Sequence, residues 1–283
     1  MSSGPAPGQV TFGWDLTYVC NYRCPYCTVW DQPTKVNLSV EEWERAWRRM
    51  HDRYGRCYIY MSGAESSTYR HFTELIRALT PMHTVDLCTN LSWKVEKLVP
   101  QVSPEFFRIS ASFHPTQVAF EKFLPKAVHV KDYLPERPQG RSVYYVADPR
   151  QMADMESYSR RFAEHGLALV PLPVVVGDHQ NGNTEEEKER IAAISPNKDA
   201  ADHKLDYQLK TKGPNGQLCR AGNRYALIRG DGHVDRCSQH TDRAVGNFLD
   251  PDFQLWDEPK PCHLGWCPYE SQWIVEDKKT AAA

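Results

Sequence analysis

Cys20-Asn21-Tyr22-Arg23-Cys24-Pro25-Tyr26-Cys27 follows directly on the strand-like stretch Thr11 to Val19. Cysteine thiolates usually hold [4Fe-4S] clusters four at a time, so three cysteines spaced C-x3-C-x2-C leave one iron open to a small molecule. Short cysteine spacings also bind zinc, but a zinc knuckle takes a second nearby Cys or His pair. None lies between Val29 and His51. The loop is therefore expected to hold an iron–sulfur cluster with an open coordination position.

The chain has nine cysteines. A second set, Cys219, Cys237, Cys262 and Cys267, lies near the C-terminus, and Cys57 and Cys88 stand alone. Tyr225 to Ile228, the Asp231-Gly232 pair and His233 to Arg236 read as a β-hairpin with an Asp-Gly turn. Such a hairpin brings Cys219 and Cys237 together. Four thiolates can then ligate every iron of a second cluster, and on spacing alone they could equally build a structural four-cysteine zinc site.

Composition fits an enzyme. With 283 residues, 41% of them apolar, the chain can bury a sizeable core. A net charge of -2 without a basic block gives no sign of a nucleic-acid partner. No long apolar run predicts a membrane span, and Met1 to Gly8 lacks the apolar core of a signal peptide. The expected location is cytoplasmic, where cysteines read as metal ligands or reactive thiols rather than disulfides.

Between the cysteine sets, strand-like and helix-like segments alternate, as in an α/β fold with a parallel sheet. Ser39 and Glu42 form a capping box, and Val40, Trp43, Trp47 and Met50 share one helical face. Apolar runs follow at Cys57 to Met61, Thr84 to Cys88, Phe106 to Phe113, Ser142 to Val146 and Leu167 to Val176. With the stretch before Cys20 they make six strands. Asn181-Gly182-Asn183 before Thr184 reads as a turn into a short helix. The expected organisation is a flexible N-terminus over 1–10, a main domain over 11–176, a connector over 177–212, a cysteine-bearing module over 213–276 and a tail over 277–283.

The cysteine loop, with Tyr26 before its last cysteine and a strand before its first, resembles the signature of the radical S-adenosylmethionine (SAM) superfamily. The C-terminal set resembles the twitch domain, the short form of the SPASM extension. Together these resemblances cover nearly the whole chain. They imply a partial (β/α)6 TIM barrel of the radical SAM type, open on one side, with its active site at the C-terminal strand ends, and a small twitch domain of β-hairpin plus helix. They also imply a SAM-binding [4Fe-4S] cluster on Cys20, Cys24 and Cys27, with SAM chelating the open iron and being cleaved to a radical that takes a hydrogen atom from substrate. A second, auxiliary [4Fe-4S] cluster on Cys219, Cys237, Cys262 and Cys267 would accept an electron. The electron donor would be external, such as a flavodoxin or ferredoxin.

The resemblance extends to SAM contacts at strand ends. Ser62-Gly-Ala-Glu-Ser66 stands where the family has Gly-Gly-Glu-Pro, so Gly63, Ala64 and Glu65 are expected to hold the SAM amine, Glu65 through its carboxylate. Thr89-Asn90 looks like the family's Thr-Asn, with Asn90 facing SAM or substrate. Ser110 and Ser112 alternate along one strand and point the same way. They resemble serines that contact SAM, although a place inside the barrel would satisfy either. Tyr26 joins the cofactor-binding set. His114 is a candidate base or substrate ligand, and a turn residue before Pro115 is the plainer reading. Cys88 near a strand end is a candidate hydrogen-atom donor, with packing as its alternative. Cys57 reads as core.

Three functions fit these features. One is a redox-type radical SAM enzyme acting on a small polar molecule, such as a sugar, aminocyclitol or nucleoside, by dehydrogenation or epimerisation. It is favoured by the short expected N-terminus, which leaves no extension to grip a leader peptide. The second is a maturase of a ribosomally made peptide. The third, a non-catalytic metal-binding module, predicts no SAM cleavage.

Overall fold

The computed structural model describes residues 5–6, 8–27, 38–134, 141–176, 180–195, 214–265 and 267. The chain runs β1 (Thr11–Asp15), α1 (Val40–Tyr54), β2 (Tyr58–Ser62), α2 (Phe72–Leu79), β3 (Thr84–Thr89), α3 (Val95–Leu98), β4 (Phe107–Phe113), α4 (Phe120–Tyr133), β5 (Ser142–Ala147), α5 (Met155–Ala163) and β6 (Ala168–Pro173). The short pair β7 (Val175–Val176) and β8 (Gln180–Asn181) precedes α6 (Glu185–Ile194). Then come β9 (Leu218–Cys219), β10 (Tyr225–Arg229), β11 (His233–Cys237), β12 (His240–Asn247) and β13 (Lys260–Pro261).

Strands β1 to β6 lie in sequence order, each parallel to the next. This is the α/β fold with a mostly parallel sheet that the alternation predicts. The capping box at Ser39 and Glu42 is present, and Val40, Trp43, Trp47 and Met50 are all buried. A second capping box, Thr184 with Glu187, starts α6 where the turn at Asn181 to Asn183 leads into a helix.

Alternation along each strand separates two faces. Phe12, Trp14, Ile59, Met61, Val85, Leu87, Phe107, Ile109, Val143 and Tyr145 face the helices and share one core with Trp43, Trp47, Leu75, Phe123 and Phe162. Phe12 and Trp14 meet Trp47 edge-on or tilted, with ring centroids 5.4 and 5.3 Å apart. The opposite face carries Asp15, Tyr58, Tyr60, Asp86, Cys88, Arg108, Ser110, Ser112 and Tyr144, because the period of two sends those positions away from the helices.

The C-terminal hairpin joins the main sheet. β10 and β11 pair antiparallel around Gly232, at φ +84°, as the Asp-Gly signal predicts. β10 also pairs parallel with β1, Thr11 opposite Tyr225 through Asp15 opposite Arg229. Among the described residues the sheet therefore has nine strands, in the order β12-β11-β10-β1-β2-β3-β4-β5-β6. Among the described residues after α6 there is no α-helix, and a third strand, β12, follows the hairpin. Most of the expected connector and the whole tail fall outside the described residues. No helix among the described residues is long and apolar enough to cross a membrane.

His83 carries a pH prediction. Its ring is fully buried. The Cys57 N–H donates to Nδ1 at 3.1 Å, which leaves Nε2–H to donate to the Trp47 carbonyl at 3.0 Å. Burial pushes its pKa down to about 4. The unfolded chain takes up this proton first as pH falls, so the stabilisation is full above about pH 6.5 and is lost towards pH 4, on the order of 3 kcal/mol in all. Urea midpoints at pH 7.5 and 4.5 should fall further for the parent than for His83→Gln. Equal falls would exclude the histidine as the cause.

Candidate active site

The cysteine loop leaves the C-terminal end of β1 and is stapled from three sides. Gln117 accepts from the Arg23 N–H at 2.9 Å and donates to its carbonyl at 3.2 Å. Asn90 Nδ2 donates to Asn21 Oδ1 at 3.1 Å and lies 3.9 Å from Cys20 Sγ. Tyr26 OH lies 2.7 Å from His114 Nδ1, and the two rings stack. Within the loop the Cys27 N–H donates to the Cys24 carbonyl at 3.1 Å, and the Tyr22 N–H points at Cys20 Sγ at 3.3 Å.

The three thiols feel one another. Burial pushes Cys24 up to about 11, and Cys27 and Cys20 add to the rise. Cys20 is raised by burial, with Glu65 and Cys27 adding and the Tyr22 N–H opposing. A bound cation would reverse this by stabilising the thiolates. Three cysteines brought together on one short loop, with an amide aimed at one sulfur, fit an iron–sulfur group.

The loop after β2 is zipped onto the same segment. The Ala64 N–H donates to the Thr17 carbonyl at 3.3 Å and the Glu65 N–H to that of Val19 at 3.2 Å. Gly63 sits at φ +93°, and a Cβ there would lie 3.1 Å from the Thr17 carbonyl and 3.3 Å from Asp15 Cα. Only glycine combines that backbone with that approach. Gly63→Val should cost about 1–3 kcal/mol and weaken SAM binding, whereas Ala64→Gly should change little. Thermal melts and SAM titration of the two variants check this, and equal behaviour would refute it.

Several expected SAM contacts have other partners. The Glu65 carboxylate is 1% exposed. It accepts from Ser67 N–H and Oγ, Thr89 Oγ1 at 2.8 Å and the Asn90 N–H at 2.8 Å. It braces the loop against β3. Asn90 is equally committed, since its Oδ1 accepts from the Ser92 N–H at 2.9 Å while its amide serves the cysteine loop. Ser110 is taken up inside the fold, its Oγ donating to Asp86 at 3.2 Å. Ser112 faces the same way and is half-buried.

His114 has its pKa pushed down to about 4 by burial. At neutral pH it is uncharged, and it orients Tyr26. Cys88 is half-buried on the polar face, its thiol pushed up to about 12 by burial, with Glu65 and Asp86 adding. It therefore remains a thiol rather than a thiolate. Cys57 is fully buried, as expected of core.

Two networks escaped the sequence reading. In the first, buried Asp86 accepts from Tyr58 OH and Ser110 Oγ, and Arg108 reaches Tyr58 OH at 3.3 Å. Burial raises the Asp86 carboxyl. In the second, Asp15 accepts from Ser62 Oγ at 3.2 Å and Tyr18 OH at 3.5 Å. Arg229 reaches Tyr18 OH at 3.2 Å and pairs with buried Asp235, which His233 also contacts. Their signal was a charged residue inside an otherwise apolar strand, as in Val85-Asp86-Leu87.

Cys219, Cys237 and Cys262 are buried and pack together with Ala221. β9 pairs with β13, placing Cys219 opposite Lys260, and the Ala221 N–H points at Cys219 Sγ at 3.4 Å. Cys267 is half-buried. Among the described residues no three His, Cys, Asp or Glu side chains gather as closely as one metal ion requires. Three buried thiols in one cluster fit a multi-iron group, whose sulfurs sit further apart than those around a single ion.

The family model described as the Radical SAM superfamily matches residues 14–110. The chain is 38% identical over 76 residues to the probable GTP 3',8-cyclase of Methanocella arvoryzae, a segment that is 26% of this chain and 24% of that protein. The chain thus spans about a quarter of that curated relative. Among solved structures, SuiB of Streptococcus suis bound to S-adenosylmethionine superposes with a TM-score of 0.64 at 12% identity, over 88% of this chain and 66% of SuiB. Native anSMEcpe with bound AdoMet and Cp18Cys peptide superposes with a TM-score of 0.61 at 15% identity, over 86% of this chain and 78% of that one. At those identities the likeness is one of fold. On these matches residues 14–110 are similar to the Radical SAM superfamily.

Proposed function

We propose that the chain is a radical SAM oxidoreductase acting on a small polar molecule of the sugar, aminocyclitol or nucleoside type, by dehydrogenation or epimerisation in a biosynthetic pathway. The observation that carries the substrate class is the polar face of the sheet. Asp86 and Ser110 are buried there although the helices pack on the other side. Such burial supports a sheet that curls into a partial (β/α)6 barrel with this face as its lumen. Cys88, Ser112 and Tyr144 would then offer hydroxyls and a thiol to a polar substrate.

Cys20, Cys24 and Cys27 would hold a [4Fe-4S] cluster, and Cys219, Cys237, Cys262 and Cys267 an auxiliary cluster in a twitch-type module. When bound, the first cluster with SAM supplies a hydrogen-abstracting radical and the second supplies an electron acceptor. Gly63, Ala64 and Glu65 would hold the SAM amine, Glu65 through the carboxylate whose Oε2 accepts from the Asn90 N–H. Asn90 and His114 would position the cysteine loop, and Ser112 would face the SAM. A cytoplasmic location and a flavodoxin or ferredoxin as donor accompany this reading.

Peptide maturation is the second reading, favoured by the fold shared with SuiB bound to the precursor peptide SuiA. Anaerobically reconstituted enzyme with SAM and reductant is expected to form 5'-deoxyadenosine, and added substrate should raise that rate. Stimulation by sugars, aminocyclitols or nucleosides supports the first reading. Stimulation by peptides alone replaces it with the second, and no 5'-deoxyadenosine under any condition refutes both.

A further inference from the structure

Arg236 lies in β11 immediately before Cys237 and is fully buried. Its guanidinium donates to the Ala221 carbonyl at 2.9 Å and the Pro261 carbonyl at 2.7 Å, and also to those of Lys260 and Cys219. One side chain thus joins β11 to β9 and β13, the segments that bring in Cys219 and Cys262. The Trp256 ring lies beside it, 5.5 Å from the guanidinium carbon.

The four backbone acceptors Arg236 reaches are neutral carbonyls. Among the described residues Arg236 forms no ion pair with a carboxylate, whereas Arg229 two strand positions from the same hairpin turn pairs with Asp235. A buried guanidinium without an anion costs several kcal/mol, because desolvation is not offset by attraction. A group beside it that can carry negative charge is the Cys219 thiol, which clusters with Cys237 and Cys262. Arg236 acts electrostatically on Cys219 and also hydrogen-bonds it. Metal binding requires those thiols to be deprotonated, which would supply the missing charge.

We propose that Arg236 is the internal counter-cation of an anionic iron–thiolate centre on Cys219, Cys237 and Cys262, positioning their strands and raising the centre's reduction potential. The inference rests on the auxiliary-cluster reading above. Reduction adds one negative charge to the centre, and a fixed cation beside it favours the more negative state. Arg236 also holds its neighbours through four carbonyls, so the charge cannot swing away when the centre is oxidised.

The test uses the full chain with Cys20, Cys24 and Cys27 replaced by alanine, so that only the C-terminal centre is read. Potentiometric titration followed by paramagnetic resonance compares Arg236, Arg236→Lys and Arg236→Gln at equal iron content. Arg236→Gln is expected to shift the one-electron equilibrium at least tenfold towards the oxidised centre, about 59 mV, and Arg236→Lys to shift it less. An unchanged potential in Arg236→Gln at full iron content overturns the assignment. A background chain that holds no iron overturns the auxiliary-cluster reading instead, and the tuning role with it. If Arg236→Gln fails to fold, the parent labelled with 15N-arginine decides. Hyperfine coupling of an arginine nitrogen to the reduced centre, lost in Arg236→Lys, is the expected result, and its absence in the parent overturns the proposal.

Discussion

Replacing Cys20, Cys24 and Cys27 together by alanine is expected to abolish 5'-deoxyadenosine formation and to remove about half of the iron and sulfide, since each centre would hold one cluster. The fold should survive. These cysteines sit on a surface loop stapled by Gln117, Asn90 and His114, while the core of Phe12, Trp14, Trp43 and Trp47 lies elsewhere. Iron analysis and low-temperature paramagnetic resonance on parent and variant provide the check. A variant that still cleaves SAM would remove the cysteine loop from the mechanism. A variant with no iron that retains zinc would make the C-terminal site structural, leaving the redox reading without its electron acceptor.

The second large effect is expected from Cys219→Ala combined with Cys262→Ala. Both side chains are buried, and ligation of a buried centre contributes folding free energy. Removing them also leaves Arg236 buried without the charge it is proposed to meet. The thermal midpoint should fall by roughly 5–10 °C, corresponding to a few kcal/mol in a chain of this size. Uncoupled SAM cleavage should persist, because Cys20 to Cys27 are untouched, while substrate turnover stops. Cys57→Ala, a buried cysteine away from either site, serves as control and should cost less. Equal falls in the two variants would show packing rather than ligation to be what the C-terminal cysteines provide.

Much of the framework was legible because its causes are local. The capping box of Ser39 and Glu42 needs only residues three apart. The hairpin at Asp231-Gly232 follows from a turn that favours positive φ, and Gly232 adopts it. Strand positions followed apolar runs, with ends differing by a residue or more. Thr11 to Val19 was too long, since β1 stops at Asp15 and the remainder pairs with Ala64 and Glu65. Leu167 to Val176 divides into β6, which ends at Pro173, and β7.

The candidate site was less legible. Glu65, Asn90 and Ser110 stand at strand ends where ligand contacts are expected, yet their hydrogen bonds go to Thr89, Asn21 and Asp86. A carboxylate or amide reads the same in sequence whether its partner is a ligand or a neighbouring strand. The pairing of Tyr26 with His114 spans 88 positions, and Arg229 reaches Tyr18 across 211. No local pattern encodes such distances.

By itself the sequence determined the alternating α/β framework, the helix that starts at Ser39, the hairpin at Gly232 and the two groups of cysteines, because spacing, caps and turns act within a few residues. Tertiary structure alone decided that β10 joins β1 in one nine-stranded sheet, that Glu65 and Asn90 brace the cysteine loop, and that Arg236 lies buried among Cys219, Ala221 and Pro261. Those outcomes depend on which distant segments desolvate one another, and burial is a property of the assembled chain.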